Sequence, residues 1–96
     1  GGAAGTVTRI DYYGNCITNV PAMWMDEAPI GTPLTILVDG KPHECTWQRT
    51  YGEVAAGKLL ALSTASGWVE IAGNKASAAT LLGLSVGNGV ALRAKK

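Results

Sequence analysis

Leu34-Thr35-Ile36-Leu37-Val38-Asp39-Gly40-Lys41-Pro42-His43-Glu44-Cys45-Thr46-Trp47 is the most legible stretch of the chain. Leu34, Ile36 and Val38 alternate with Thr35, Leu37 and Asp39, the period-two spacing of a half-buried strand. Asp39-Gly40 then offers a two-residue turn that needs positive φ, which Gly supplies cheaply. The chain is therefore expected to reverse there and return as a strand from about Lys41 to Trp47.

The same signals recur on both sides. Upstream, Thr6 to Asp11 opens as a strand, Tyr12-Tyr13-Gly14-Asn15 reads as a turn, and Cys16 to Val20 as a second strand. Pro21 to Ile30 is expected to be irregular or a single helical turn, since Pro29 and Pro33 argue against anything longer. Downstream, a loop from Arg49 to Gly57 precedes a nearly continuous apolar strand, Lys58 to Leu62. Ser66-Gly67 turns the chain into Trp68 to Ala72. The one credible helix runs about two turns from an Asn74 N-cap, through Ala76, Ala78, Ala79, Leu81 and Leu82, to Gly83 just past its end. A strand from about Val90 to Ala94 closes the chain. Six or seven short strands and one short helix predict an all-β fold, packed as a small closed barrel or a compact two-sheet sandwich.

Composition limits what such a fold can do. Ninety-six residues with a 47% hydrophobic fraction make one domain with one small core. Gly1 to Ala4 read as a flexible lead, such as a linker remnant or the residue of a processed segment, before a domain covering residues 5–96. Net charge is +1, and only Lys95 and Lys96 are adjacent among scattered cations, so no basic stripe for nucleic acid is expected. No apolar run approaches the roughly 20 residues that span a bilayer, and a cytoplasmic location is expected. Cys16 and Cys45 lack metal-ligand spacing. They read as reduced core thiols, a single disulfide being the alternative. His43 sits within strand alternation and reads as structural or solvent-facing. Without a nucleophile–base pairing or a phosphate-cradling Gly pattern, no catalytic or metal residue is assigned.

Three stretches stand apart. Asp11 to Asn19 crowds polar groups onto one turn, where they either recognise a ligand or simply make the turn. Tyr51, beside Gly52, either offers its ring to a flat ligand or plugs the barrel end. Ser66 to Asn74 leads a strand toward a helix start, where free N–H groups either bind a ligand or are capped.

Taken in order, the three stretches resemble the carboxy-terminal domain of the S-adenosyl-L-methionine hydroxide adenosyltransferases, relatives of the fluorinating and chlorinating enzymes. Asp11-Tyr12-Tyr13-Gly14-Asn15-Cys16-Ile17-Thr18-Asn19 is similar to the family's Asp-x-Phe-Gly-Asn-x-x-Thr-Asn, with Tyr13 for Phe. Thr50-Tyr51-Gly52-Glu53-Val54 is similar to Thr-Tyr-x-Glu-Val. Ser66 to Asn74 is similar to Ser-Gly-x-Leu-Glu-Ile-Ala-x-Asn, with Val69 for Leu. Leu82-Gly83-Leu84 and Gly87-Asn88 resemble its ending.

The resemblance implies a closed, mostly antiparallel barrel. It also implies a trimeric parent in which S-adenosyl-L-methionine, as substrate rather than cofactor, lies between this domain and a neighbour's amino-terminal catalytic domain. The implied reaction gives adenosine and L-methionine from S-adenosyl-L-methionine and water, with the water-activating groups outside these residues. Carried over, Asp11 would bind the methionine ammonium, Asn15 the adenine edge and Tyr51 the adenine face. Ser66 would reach the methionine carboxylate, and backbone groups of Gly73, Asn74 and Lys75 the adenine edge. The ring of Tyr51 carries that role, so Tyr51→Phe would be nearly silent. Ala65 replaces a Ser of many members, and Gly73 replaces an Arg of the fluorinating relative. The rival reading is a non-catalytic barrel used for oligomerisation or interaction.

Overall fold

Asp39 and Gly40 both take positive φ, 51° and 76°, as a type I′ turn requires. They join strand β3 (Pro33–Val38) to β4 (Lys41–Trp47), which pair antiparallel from Pro33↔Thr46 to Val38↔Lys41. In this computed structural model, which describes residues 2–94, that hairpin is one side of a closed barrel. Gly1, Lys95 and Lys96 lie outside the described residues. The other strands are β1 (Gly2–Ile10), β2 (Cys16–Pro21), β5 (Leu59–Ser63), β6 (Trp68–Gly73) and β7 (Gly89–Ala94). Around the ring the order is β1-β2-β6-β5-β4-β3-β7, with every neighbouring pair antiparallel except β4 and β5. This is the all-β closed barrel that the patterning and the resemblance predict.

Alternation fills the interior. Val7, Cys16, Val20, Leu34, Ile36, Val38, Ala61, Val69, Ile71, Val90 and Leu92 form one buried cluster, closed further by Trp47, Met25 and Leu82. A second cluster, Leu60, Leu62 and Ala72 with Val54 against them, lies on the other face of β5 and β6. This explains why β5 reads as apolar at nearly every position: both of its faces are covered, the outer one by the Arg49–Gly57 loop. Fully burying a Leu stabilises by roughly 1.5–3 kcal/mol, so Leu60 and Leu62 anchor that loop well.

Two boundaries differ from the reading of the sequence. Strand β1 begins at Gly2, and Gly2, Ala3 and Ala4, read as a flexible lead, pair with Arg93, Leu92 and Ala91 of β7. Helix α1 covers only Ala78–Leu82, and its N-cap is Ser77, whose Oγ accepts from the Thr80 N–H at 3.1 Å. Asn74 is not the cap. Lys75 takes a positive φ of 53° and Gly73 bridges Ala76, so a tight turn intervenes before the helix can start. Gly83 ends the helix in the left-handed conformation, φ 67°, as expected. The Pro21–Ile30 link contains one 3₁₀ turn, Ala22–Met25. Cys16 and Cys45 are both free and buried, and His43 is half-buried on β4. No helix among the described residues is long and apolar enough to cross a membrane.

Candidate functional site

The turn between β1 and β2 is built around one carboxylate. Asp11 Oδ1 accepts from the backbone N–H groups of Tyr13 and Asn15, both at 2.9 Å, and Oδ2 accepts from Asn15 Nδ2 at 3.0 Å. Burial works against the charge of Asp11, but the Asn15 and Tyr13 hydrogen bonds, with Arg9 nearby, outweigh it and hold the carboxyl below its usual range. Asp11 is therefore ionised at neutral pH. Asn15 is 6% exposed and has spent a donor on Asp11. Its Oδ1 is buried and has no hydrogen-bond partner among the described residues. Such an acceptor, without a partner, is a cost to the fold that a donor supplied from outside would relieve.

A second wall comes from the turn after β6. Gly14 sits at φ 85°, and a Cβ there would meet the Ser77 side chain, with Ser77 Cβ at 2.6 Å. The Gly14 carbonyl also accepts from the Ala79 N–H at 2.9 Å, which pins the β1–β2 turn onto the start of α1. Gly73 is equally crowded, since a Cβ would lie 2.5 Å from the Ala76 carbonyl oxygen.

Tyr51 makes the third wall, from a 3₁₀ turn, Tyr51–Glu53, in the Arg49–Gly57 loop. Glu53 clamps that turn from within, its Oε1 accepting from the N–H groups of Arg49 and Thr50 at 2.9 Å. These bonds hold its carboxyl below the ordinary value. Asn74 fastens the loop to the barrel: its Nδ2 donates to the Val54 carbonyl at 2.7 Å, and its backbone pairs with Gly57 and Lys58. The Tyr51 hydroxyl donates to Glu70 Oε2 at 2.6 Å. Tyr51 is 40% exposed, so part of it is withdrawn from water. Burial there, then the Glu70 hydrogen bond and charge, then the charge of Asp11, push the phenol up to about 12.

Between these walls lies a cavity of about 620 Å³, lined by Asp11, Tyr13, Asn15 and Tyr51 on one side and Gly73, Lys75, Ala76 and Ser77 on the other. Five of the seven residues expected at a site, Asp11, Asn15, Tyr51, Gly73 and Lys75, thus meet at one place. Asn74 does not line the cavity; it positions the loop that does. Ser66 lies in the β5–β6 turn, at the far end of β6 from Gly73, about 20 Å along a strand rising 3.3 Å per residue. The reading of the sequence missed four contributors, one of them Ala76, which lines the cavity from the turn before α1. Tyr13, 74% exposed, lines the cavity from the position where the family motif has Phe. Ser77 caps α1 and lines the cavity; as a Ser ahead of a helix-forming run it was an N-cap candidate beside Asn74. Glu70 was visible as one acidic residue in an apolar strand. The Tyr51–Glu70 bond also revises the expectation that the Tyr51 hydroxyl is idle. Among the described residues, no three His, Cys, Asp or Glu side chains gather as a metal site needs.

This arrangement offers an aromatic face, a buried acceptor and a fixed negative charge, which suits a flat ligand carrying amino donors and positive charge. Residues 5–91 match the family model of the SAM hydroxide adenosyltransferase C-terminal domain. No protein of curated function matches. Among solved structures, an uncharacterized conserved protein from Thermotoga maritima superposes with a TM-score of 0.89 at 25% identity, over 95% of this chain and 35% of that one. A conserved hypothetical protein from Thermus thermophilus gives 0.69 at 35% identity, over 96% of this chain and 35% of that one. The chain therefore spans about a third of the length of these relatives. With the match running through nearly every strand of the barrel, the chain belongs to the family of SAM hydroxide adenosyltransferase C-terminal domains.

Proposed function

We propose that the cavity binds the adenosine portion of S-adenosyl-L-methionine, and that the chain is the substrate-binding half of an enzyme converting S-adenosyl-L-methionine and water to adenosine and L-methionine. The observation that carries this reading is the buried Oδ1 of Asn15, without a hydrogen-bond partner among the described residues, on a cavity that Tyr51 also lines. The adenine amino group is a donor, and adenine's faces are flat and poorly hydrated. Asn15 would accept from the amino group while Tyr51 and Tyr13 cover the faces. Asp11, already ionised, would attract the ammonium of the methionine portion, its oxygens having room for more than the three bonds they accept. Backbone groups near Gly73 and Lys75 would meet the adenine edge. Ser66, at the other end of β6, has no part in this cavity.

Water activation and the ribose contacts are assigned to an amino-terminal domain of the parent protein, and a trimeric parent is part of the same proposal. The test is adenosine titration by calorimetry, with a methionine-release assay alongside. The chain should bind adenosine yet release no methionine from S-adenosyl-L-methionine until a family amino-terminal domain is added. Tyr51→Ala should weaken binding about tenfold or more, given the roughly 1–3 kcal/mol worth of base–aromatic stacking. Unchanged affinity in Tyr51→Ala with a collapsed melting temperature would return Tyr51 to a purely structural role.

A further inference from the structure

Trp68-Val69-Glu70-Ile71-Ala72 places a single carboxylate in an otherwise apolar strand. Val69 and Ile71 turn to the main core, whereas Ala72 joins the second cluster with Leu60, Leu62 and Val54. Glu70 shares the Ala72 face by alternation. Its neighbours across the sheet are Ile17 of β2 and Leu62 of β5, both buried. An aliphatic side chain would suit those neighbours, and a carboxylate 7% exposed is costly there unless hydrogen-bonded. The 2.6 Å bond from the Tyr51 hydroxyl meets that need.

The bond matters equally to the tyrosine. Its 3₁₀ turn contains no buried residue, and the ring belongs to neither apolar cluster. Glu53 and Asn74 fix the backbone of the loop, and neither of them bonds to the Tyr51 side chain. The bond to Glu70 is the one hydrogen bond of the Tyr51 side chain among the described residues.

We infer that Glu70 is a positioning residue, whose carboxylate holds the Tyr51 ring as a fixed wall of the cavity in the pose that a flat ligand meets. The inference rests on the adenosine reading for the identity of the ligand, and on the Tyr51–Glu70 geometry for the rest. A side chain ordered only at binding subtracts from affinity, and a ring already tethered has lost that freedom beforehand. With the phenol pushed up to about 12, the Tyr51 hydroxyl keeps its proton at neutral pH and donates the hydrogen bond without transferring it.

The test labels this chain with 3-fluorotyrosine and assigns the Tyr51 ¹⁹F signal by its loss in Tyr51→Phe. Glu70→Leu should move that signal toward the position of exposed Tyr12 and weaken adenosine binding about fivefold to tenfold, the scale of ordering one side chain at binding. Glu70→Gln, which keeps an acceptor oxygen, should restore ring position and most of the affinity. Should Glu70→Leu fail to fold, Glu70→Gln still decides by alkaline titration of the signal: its midpoint should lie below that of the labelled native chain, because the Glu70 hydrogen bond and charge both raise the phenol. A Tyr51 signal indifferent to Glu70→Leu, or a midpoint unmoved in Glu70→Gln, overturns the inference whether or not adenosine binds. Native chain that responds in this way but does not bind adenosine overturns the nucleoside reading instead.

Discussion

Gly73 lies outside the left-handed region, yet the Ala76 carbonyl 2.5 Å from its missing Cβ leaves no room for another residue. Gly73→Ala must push the Asn74-Lys75 turn outward, an overpacking cost of about 1–3 kcal/mol, so melting should fall by roughly 4 °C or more. Thermal melts measure this directly. An Arg there, as in the fluorinating relative, meets the same backbone. Crowding of this kind was not legible in the sequence, because it depends on a turn closing back on its own strand. Asn15 is a similar case. Its place in a recognisable motif drew attention to it, but only the folded turn spends its donor on Asp11 and leaves its acceptor without a partner among the described residues.

The elements were legible where a single local signal decided them, as in the Asp39-Gly40 hairpin or the Gly83 helix stop. They were not where two residues competed for one role. Asn74 and Ser77 are both good caps; the positive φ of Lys75 awards the helix to Ser77 and turns the Asn74 side chain to Val54. Ser77→Ala should therefore cost about 1 kcal/mol and speed amide exchange at Thr80. Asn74→Ala should leave Thr80 protected and instead loosen the Tyr51 loop. Backbone amide exchange at the two places separates these roles. Element-level repair also explains part of the family motif. The β1–β2 and β2–β6 ladders each lose register near Thr18 and Asn19. There Asn19 Oδ1 accepts from the Thr6 N–H at 2.8 Å, and Thr18 Oγ1 donates to the Val69 carbonyl at 2.7 Å. The Thr-Asn end of the motif thus mends the sheet, while its Asp11 and Asn15 face the cavity.

Among the described residues of the whole molecule, three acids are more weakly acidic than usual: Cys16 at about 11, Cys45 at about 12 and Tyr51 at about 12, burial being the largest cause for each. In each the folded state holds its proton beyond the ordinary 9.0 or 10.0. Stability from these groups is thus fully present below about pH 9 and is lost as pH climbs through 9 to 12. Urea unfolding across that window should show the loss, and Tyr51→Phe should keep the thiol share while shedding the part above pH 10. The barrel itself carries a further consequence. Strands that alternate up and down can close a ring only in even number, and this ring has seven. Somewhere two neighbours must run the same way, and they do so at β4 and β5. Sequence neighbours running in parallel cannot share a tight hairpin; the chain has to travel back along the outside of the wall, here over the eleven residues Gln48 to Lys58. That obligatory return path is the segment that lays Tyr51 beside the cavity, so an odd strand count is what supplies this barrel with its aromatic wall.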